Sequence, residues 1–147
     1  MKKIVDIMVF PVITAKEDDT LHEMAKKMLD NNVGGLPVID DDGNLIGFLS
    51  ETDFSAKQNI IPFSRNLAPQ LFGRWLNEDE IEKMYKEARS IKVKDIMTKP
   101  PIYVEEDESI PDLIEKIMKY DVHRVPVVKD EKLVGIVSRR DLMKLLI

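Results

Sequence analysis

Apolar residues recur along this chain in two rhythms, one helical and one extended. Leu21, Met24, Ala25, Met28 and Leu29 follow the i, i+3, i+4, i+7, i+8 spacing of one helix face. Ile110, Leu113, Ile114, Ile117 and Met118 repeat that spacing. Each run opens on a helix-start signature. Thr20 stands three residues before Glu23, and Ser109 three before Asp112, with Pro111 tolerated in the first turn. Behind each helix comes a short apolar strand, LPVID (36–40) or VPVVK (125–129). A polar turn follows, then a second strand, LIGFLS (45–50) or LVGIVS (133–138), so each pair predicts a hairpin. The closing serine opens a short helix, predicted over residues 51–57 and 139–146.

The two strings are copies of one another. VDIMVFPVIT (5–14) matches KDIMTKPPIY (94–103), and GFLSETD (47–53) matches GIVSRRD (135–141). Asp6 and Asp95 lie 89 residues apart, as do Pro37 and Pro126. Gly47 and Gly135 lie 88 apart, as do Asp53 and Asp141, so one residue is lost between strands, where DDDGN shortens to KDEK. A repeat that keeps register and places its deletion in a turn is a duplicated structural unit. Each copy reads β-α-β-β-α, which makes the fold α/β (α+β). A unit of about 55 residues buries too little surface to be secure alone. The repeats, 1–57 and 91–147, are therefore expected to pack sheet to sheet about a pseudo-twofold axis.

The stretch between them, 58–90, is too long for a bare connection. Asn77 is a helix cap ahead of a face made by Ile81, Met84, Tyr85 and Ala88. Residues 58–76 have no clean period and hold the only tryptophan, Trp75. A packed connector is expected there, with a lid or partner surface as the alternative.

Composition narrows the function. The chain has 147 residues, 44% of them apolar and 33% charged, with a net charge of −5. That balance supports a folded core. It argues against nucleic acid as the main partner, because phosphate backbones need a basic face, but leaves room for a local basic pocket. Having no cysteines, the chain forms neither disulfides nor thiolate metal sites. His22 and His123 are the only histidines and have no third partner in view, so no metal is expected. Asp6 and Pro11 interrupt the apolar stretch that a signal peptide would need after Lys3. The run Ile7–Ile13 is too short to span a bilayer. A cytoplasmic protein without membrane association is expected. No phosphate-cradling loop or nucleophile elbow is present, so neither catalysis nor a required cofactor is expected.

The order of these marks resembles a tandem pair of cystathionine-β-synthase (CBS) domains: DIM followed by a proline, a capped helix, a proline-valine strand and the phrases GFLSETD and GIVSRRD. The likeness covers residues 4–57 and 91–147 and leaves out the connector. It implies a regulatory module whose two clefts take AMP, ADP or ATP, or in some members S-adenosylmethionine. It also implies pairing of two chains into a flat disc, and a regulated protein partner that the sequence does not name. The two repeats and the connector are expected to account for the chain, with no further domain attached.

Residue by residue, the resemblance places ribose on Asp53 and Asp141, with Ser50 and Ser138 near ribose or phosphate. Gly35 and its neighbour Gly34, and in the second copy His123 and Arg124, stand just before the proline-valine strands and would approach phosphates. Ile13, Ile102 and Thr98 complete the implied contacts, and Arg139 and Arg140 lie inside the second phrase.

The physical chemistry of the phrase allows two explanations. Ser-x-x-Asp caps a helix, is worth about 1 kcal/mol and needs no ligand. The same helix start can receive a phosphate, and an ionised aspartate can accept from two ribose hydroxyls. Arginines in a first helical turn oppose the helix dipole, which favours an anion beside Arg139 and Arg140. The second copy also brings Arg124, whereas the first has Glu51 and bare glycines. The clefts are therefore expected to be unequal, with second-copy residues dominating the tighter one. A homodimer is expected through Leu142, Met143, Leu145, Leu146 and Ile147. The alternatives are a structural dimerisation module with no physiological ligand, and an S-adenosylmethionine binder. An enzyme acting on nucleotides ranks below both.

Overall fold

The computed structural model describes residues 1–56 and 77–147. In chain order the elements are α1 (Ile4–Ile7), α2 (Leu21–Asp30), β1 (Gly35–Ile39), β2 (Leu45–Ser50), α3 (Glu51–Ala56) and α4 (Glu78–Arg89). There follow α5 (Val93–Ile96), β3 (Val104–Glu105), α6 (Ile110–Tyr120), β4 (Arg124–Lys129), β5 (Lys132–Ser138) and a 3₁₀ helix, Arg140–Leu146. The connector residues 58–76, with Trp75, and the expected last residue of α3, Lys57, lie outside the described residues.

The helix starts act as their sequences predict. Thr20 Oγ1 accepts the Glu23 N–H at 3.2 Å, and Asn77 Oδ1 accepts the Glu80 N–H at 2.8 Å. Ser109 and Asp112 form a reciprocal box, each side chain accepting the other's backbone N–H, at 3.2 and 3.3 Å. Both hairpins are antiparallel, pairing Pro37 with Phe48 and Pro126 with Ile136. The shortened second turn has Asp130 and Glu131 at φ 51° and 69°, as a two-residue I′ turn between right-twisted strands requires. The two turns also meet each other. Leu45 N–H donates to Glu131 O at 3.2 Å, and Leu133 N–H to Gly43 O at 3.1 Å.

The first β element of each repeat is slight. In the second copy it is the two-residue β3, parallel to β4; in the first it is one bridge, Ala15 to Val38. Ahead of each stands a single helical turn that the apolar spacing does not predict. The Asp6 carboxylate starts α1 by accepting the Lys3 N–H at 2.7 Å.

These opening turns are exchanged between the repeats. Ile4 and Ile7 of α1 are fully buried among Val104, Leu113, Val125, Val127 and Val137 of the second repeat. Val93 and Ile96 of α5, with Met97, are buried among Leu21, Met24, Leu36, Val38 and Leu49 of the first. Val9 pairs by both backbone bonds with Ile136, and Thr98 with Phe48. The phrase glycines make room for this crossing. A Cβ on Gly47 would lie 2.7 Å from Met97 Sδ, and one on Gly135 would collide with Met8 Sδ.

Two expectations change in detail. The last element is a 3₁₀ helix rather than an α-helix. Three residues per turn put Leu142 and Leu145 on one line, and both pack on the second core. Leu29 and Met118, expected on the inner helix faces, are 81% and 76% exposed. They occupy equivalent positions, 89 residues apart.

Candidate functional site

The two closing phrases are held the same way at one oxygen and differently at the other. At the end of β2, Ser50 donates to Asp53 Oδ2 through its N–H at 2.8 Å and its hydroxyl at 3.2 Å. At the end of β5, Ser138 does the same to Asp141 Oδ2, at 2.8 and 3.0 Å. Asp141 N–H returns a bond to Ser138 Oγ at 3.3 Å, which completes a cap. The remaining oxygen faces a donor from outside the phrase. Thr98 Oγ1 donates to Asp53 Oδ1 at 2.9 Å. The Lys144 ammonium sits 3.0 Å from Asp141 Oδ1 and also donates to Ile7 O at 3.0 Å.

Thr98 therefore belongs with Asp53, not with the other second-copy residues. The exchanged turn carries it across, and its backbone pairs with Phe48, two residues before Ser50. Asp53 is only 3% exposed, the only buried charged residue among those described. Asp141 is less enclosed. Desolvation raises its pKa and is the largest single influence. The Ser138 N–H, Lys144 and the Ser138 hydroxyl together outweigh it and hold the carboxyl below its ordinary value.

The expected cations are dispersed. Arg139 donates to Asp121 Oδ1 at 2.9 Å and to Val122 O at 3.0 Å, so its guanidinium is engaged beside the end of α6. Arg140 and His123 are exposed. Arg124 reaches across to the first repeat. Its guanidinium nitrogens lie 3.1 and 3.2 Å from where a Gly34 Cβ would stand, and the Glu51 carboxylate fills that same place. Bare backbone at Gly34 thus leaves room for an arginine of one repeat and a glutamate of the other. Gly35 is buried against the Phe48 ring, and Ile13 and Ile102 are half-buried. Sequence reasoning missed Lys144, although its spacing from Asp141, i to i+3, is the signal that would have found it.

Among the described residues no cluster of three metal-ligating side chains occurs, and no helix is long and apolar enough to cross a membrane. An open, mainly apolar groove along α6, lined by Pro111, Ile114, Glu115, Met118 and Lys119, includes neither aspartate.

Comparison with known proteins agrees with this architecture. The family profile of the CBS domain matches residues 4–58 and 93–147. The uncharacterized protein MJ1404 of Methanocaldococcus jannaschii is 35% identical over 97% of this chain, which spans only 31% of that protein's length. Among solved structures, the CBS domain of a CBS-domain-containing membrane protein from Sphaerobacter thermophilus superposes with a TM-score of 0.75 at 37% identity, over 99% of this chain and 88% of that one. CBSX2 in complex with AMP superposes at 0.75 with 24% identity, over 99% and 97%. The CBS domain pair of protein MJ0100, in complex with 5′-methylthioadenosine and S-adenosyl-L-methionine, superposes at 0.70 with 27% identity, over 99% and 96%. Two matched repeats, two exchanged opening turns and two serine–aspartate phrases place this chain in the CBS-domain family, as a tandem pair.

Proposed function

We propose that this pair is a regulatory module that binds an adenosine-containing ligand, AMP, ADP or ATP, and passes its bound state to a protein partner without catalysis of its own. The observation that carries this reading is the handling of the two carboxylates. Each is fixed through Oδ2 by a serine and presents Oδ1 to a donor from outside its phrase. A ribose hydroxyl is also a donor, and an ionised carboxylate oxygen has acceptor capacity for it beside or in place of the present one. MJ0100, at 27% identity, binds adenosyl compounds, which supports the adenosine half of the reading and keeps S-adenosylmethionine as the alternative ligand. Calorimetric titration with AMP, ADP, ATP and S-adenosylmethionine tests the reading. Mass spectrometry of small molecules released from the purified protein tests it without a choice of ligand. Absence of binding by all four, with nothing released, overturns it.

A structural module with empty clefts is the second reading. In its favour, no buried side-chain polar atom among the described residues lacks a partner, so these residues are satisfied without a ligand. In either case we propose a cytoplasmic homodimer. Met143, Leu146 and Ile147 are exposed at the end of the 3₁₀ helix, and Leu29 and Met118 on α2 and α6.

A further inference from the structure

The two repeats put opposite charges side by side over one bare stretch of backbone. Chain neighbours aside, the three heavy atoms nearest the point where a Gly34 Cβ would stand are Glu51 Oε1 and the two terminal nitrogens of Arg124. The glutamate follows Ser50 on the first repeat, and its N–H donates to Gly34 O at 3.1 Å. The arginine comes from β4 of the second repeat, with its nitrogens 3.1 and 3.2 Å from that point. Among the described residues neither side chain makes a hydrogen bond or an ion pair, with the other or with any third group.

Register ties this place to both closing phrases. Gly35 pairs with Ser50, and Arg124 with Ser138, the two serines that hold Asp53 and Asp141. The second copy does not repeat the arrangement. Its equivalent of Glu51, 88 residues later, is Arg139, bonded to Asp121 and to Val122 O. Its equivalent of Gly34, 89 residues later, is His123, which brings a side chain where the first copy has none. The helix dipole accounts for a carboxylate at the start of α3, but not for the other repeat's guanidinium beside it. An ion pair linking the repeats would account for both, yet the two stand outside bonding range.

The paired charges have a chemical consequence. A guanidinium only donates and a carboxylate only accepts. A polyphosphate brings anionic acceptors alone, so it gains from Arg124 and is repelled by Glu51. An α-amino-acid tail carries an ammonium beside a carboxylate. It can set the first against Glu51 and the second across the Arg124 fork. Discrimination between ligands uses a repulsive element as well as an attractive one, and Glu51 supplies it.

We infer that Glu51 and Arg124 form a specificity-determining pair, which favours an adenosyl ligand with an α-amino-acid tail over one with a polyphosphate tail. This rests on the adenosine reading above and chooses among its ligands, whereas arginines counted alone would favour phosphate.

The test is calorimetry of the full chain with 5′-methylthioadenosine, S-adenosylhomocysteine and ATP, on wild type, Glu51→Gln and Arg124→Gln. The first two ligands share the adenosine and the thioether and differ by the amino-acid tail, so their ratio reads the tail alone. Wild type is expected to bind S-adenosylhomocysteine about three- to tenfold more tightly than 5′-methylthioadenosine, the range of two partly exposed ion pairs. It is expected to bind ATP no more tightly than 5′-methylthioadenosine. Glu51→Gln should bring S-adenosylhomocysteine down towards 5′-methylthioadenosine and tighten ATP. Arg124→Gln should weaken both tailed ligands. Neither should move 5′-methylthioadenosine, whose binding also shows that the variants keep their fold. Equal binding of S-adenosylhomocysteine and 5′-methylthioadenosine by wild type overturns the inference and leaves the adenosine reading intact. So does ATP binding more tightly than S-adenosylhomocysteine, or ATP unchanged or weakened by Glu51→Gln. So does a variant that shifts all three ligands together, because the charge would then serve the fold or the nucleoside. No binding of any ligand by wild type overturns both.

Discussion

Asp53 and Asp141 carry nearly the same bonds in different surroundings, so single substitutions separate their roles. Replacing either by asparagine keeps the size of the side chain and removes an ionised acceptor. A hydrogen bond to a charged group is worth about 1.5–3 kcal/mol. Each substitution should weaken the site centred on it by roughly ten- to a hundredfold in a nucleotide titration. Unchanged affinity in both variants, with intact circular dichroism, removes the aspartates from binding. Asp141 also links stability to pH. Its carboxyl is held below its ordinary value, chiefly because the Ser138 N–H and Lys144 outweigh desolvation. A depressed folded-state pKa gives stability that is fully present above the unfolded value, about 3.9, and is lost as pH falls through the folded value. Urea midpoints of wild type and Asp141→Asn should therefore differ at pH 7 and begin to converge below about pH 3.9, meeting only below the folded-state pKa. Parallel curves from pH 7 to pH 2 would show that this carboxylate contributes no linkage.

Among the elements, those with a period of their own were legible before the structure was known. The faces of α2, α4 and α6 and both hairpins follow from spacing and turn residues within ten or so neighbours. Capping predicts a measurable cost at one of them. The Ser109–Asp112 box satisfies two N–H groups at the start of α6, so Ser109→Ala should cost about 1 kcal/mol in chemical denaturation. A loss under a few tenths would mean that water caps the helix equally well. The missed elements are those without a period. A four-residue helix such as α1 or α5 completes barely one turn, so no spacing marks it. The 3₁₀ helix reads as an α-helix because Leu142 and Leu145, i and i+3, suit both. Leu29 and Met118 have the right spacing for an inner face, but spacing does not say how wide a face the neighbours cover. For the site, the serine–aspartate pairs were legible as local phrases. The pairing of Thr98 with Asp53 was not legible, because the two lie 45 residues apart in sequence and only the exchanged turn brings them together.

For the molecule as a whole, exposed apolar residues and shared cores lead to two expectations. Met143, Leu146, Ile147, Leu29 and Met118 leave apolar surface that a second copy can cover, so sedimentation at micromolar concentration should give about twice the 16.9 kDa of one chain. A persistent monomer would leave those residues as ordinary surface. The exchange of opening turns makes a sharper demand. If each repeat were a module folding on its own stretch of sequence, damage at residue 7 would loosen the first repeat. In the structure Ile7 is buried wholly in the second core, with Val125, Val127 and Val137, and Ile96 in the first, with Leu36, Val38 and Leu49. Truncating a buried isoleucine costs about 2–5 kcal/mol. Ile7→Ala should therefore speed amide exchange first in β4 and β5, more than a hundred residues away in sequence, and Ile96→Ala first in β1 and β2. Each core holds residues from both repeats, so unfolding should remain one cooperative transition in both variants. Ile7→Ala that loosens β1 and β2 while β4 and β5 stay protected would mean that the turns are not exchanged in solution. It would also take Thr98 away from Asp53, because the same crossing delivers both.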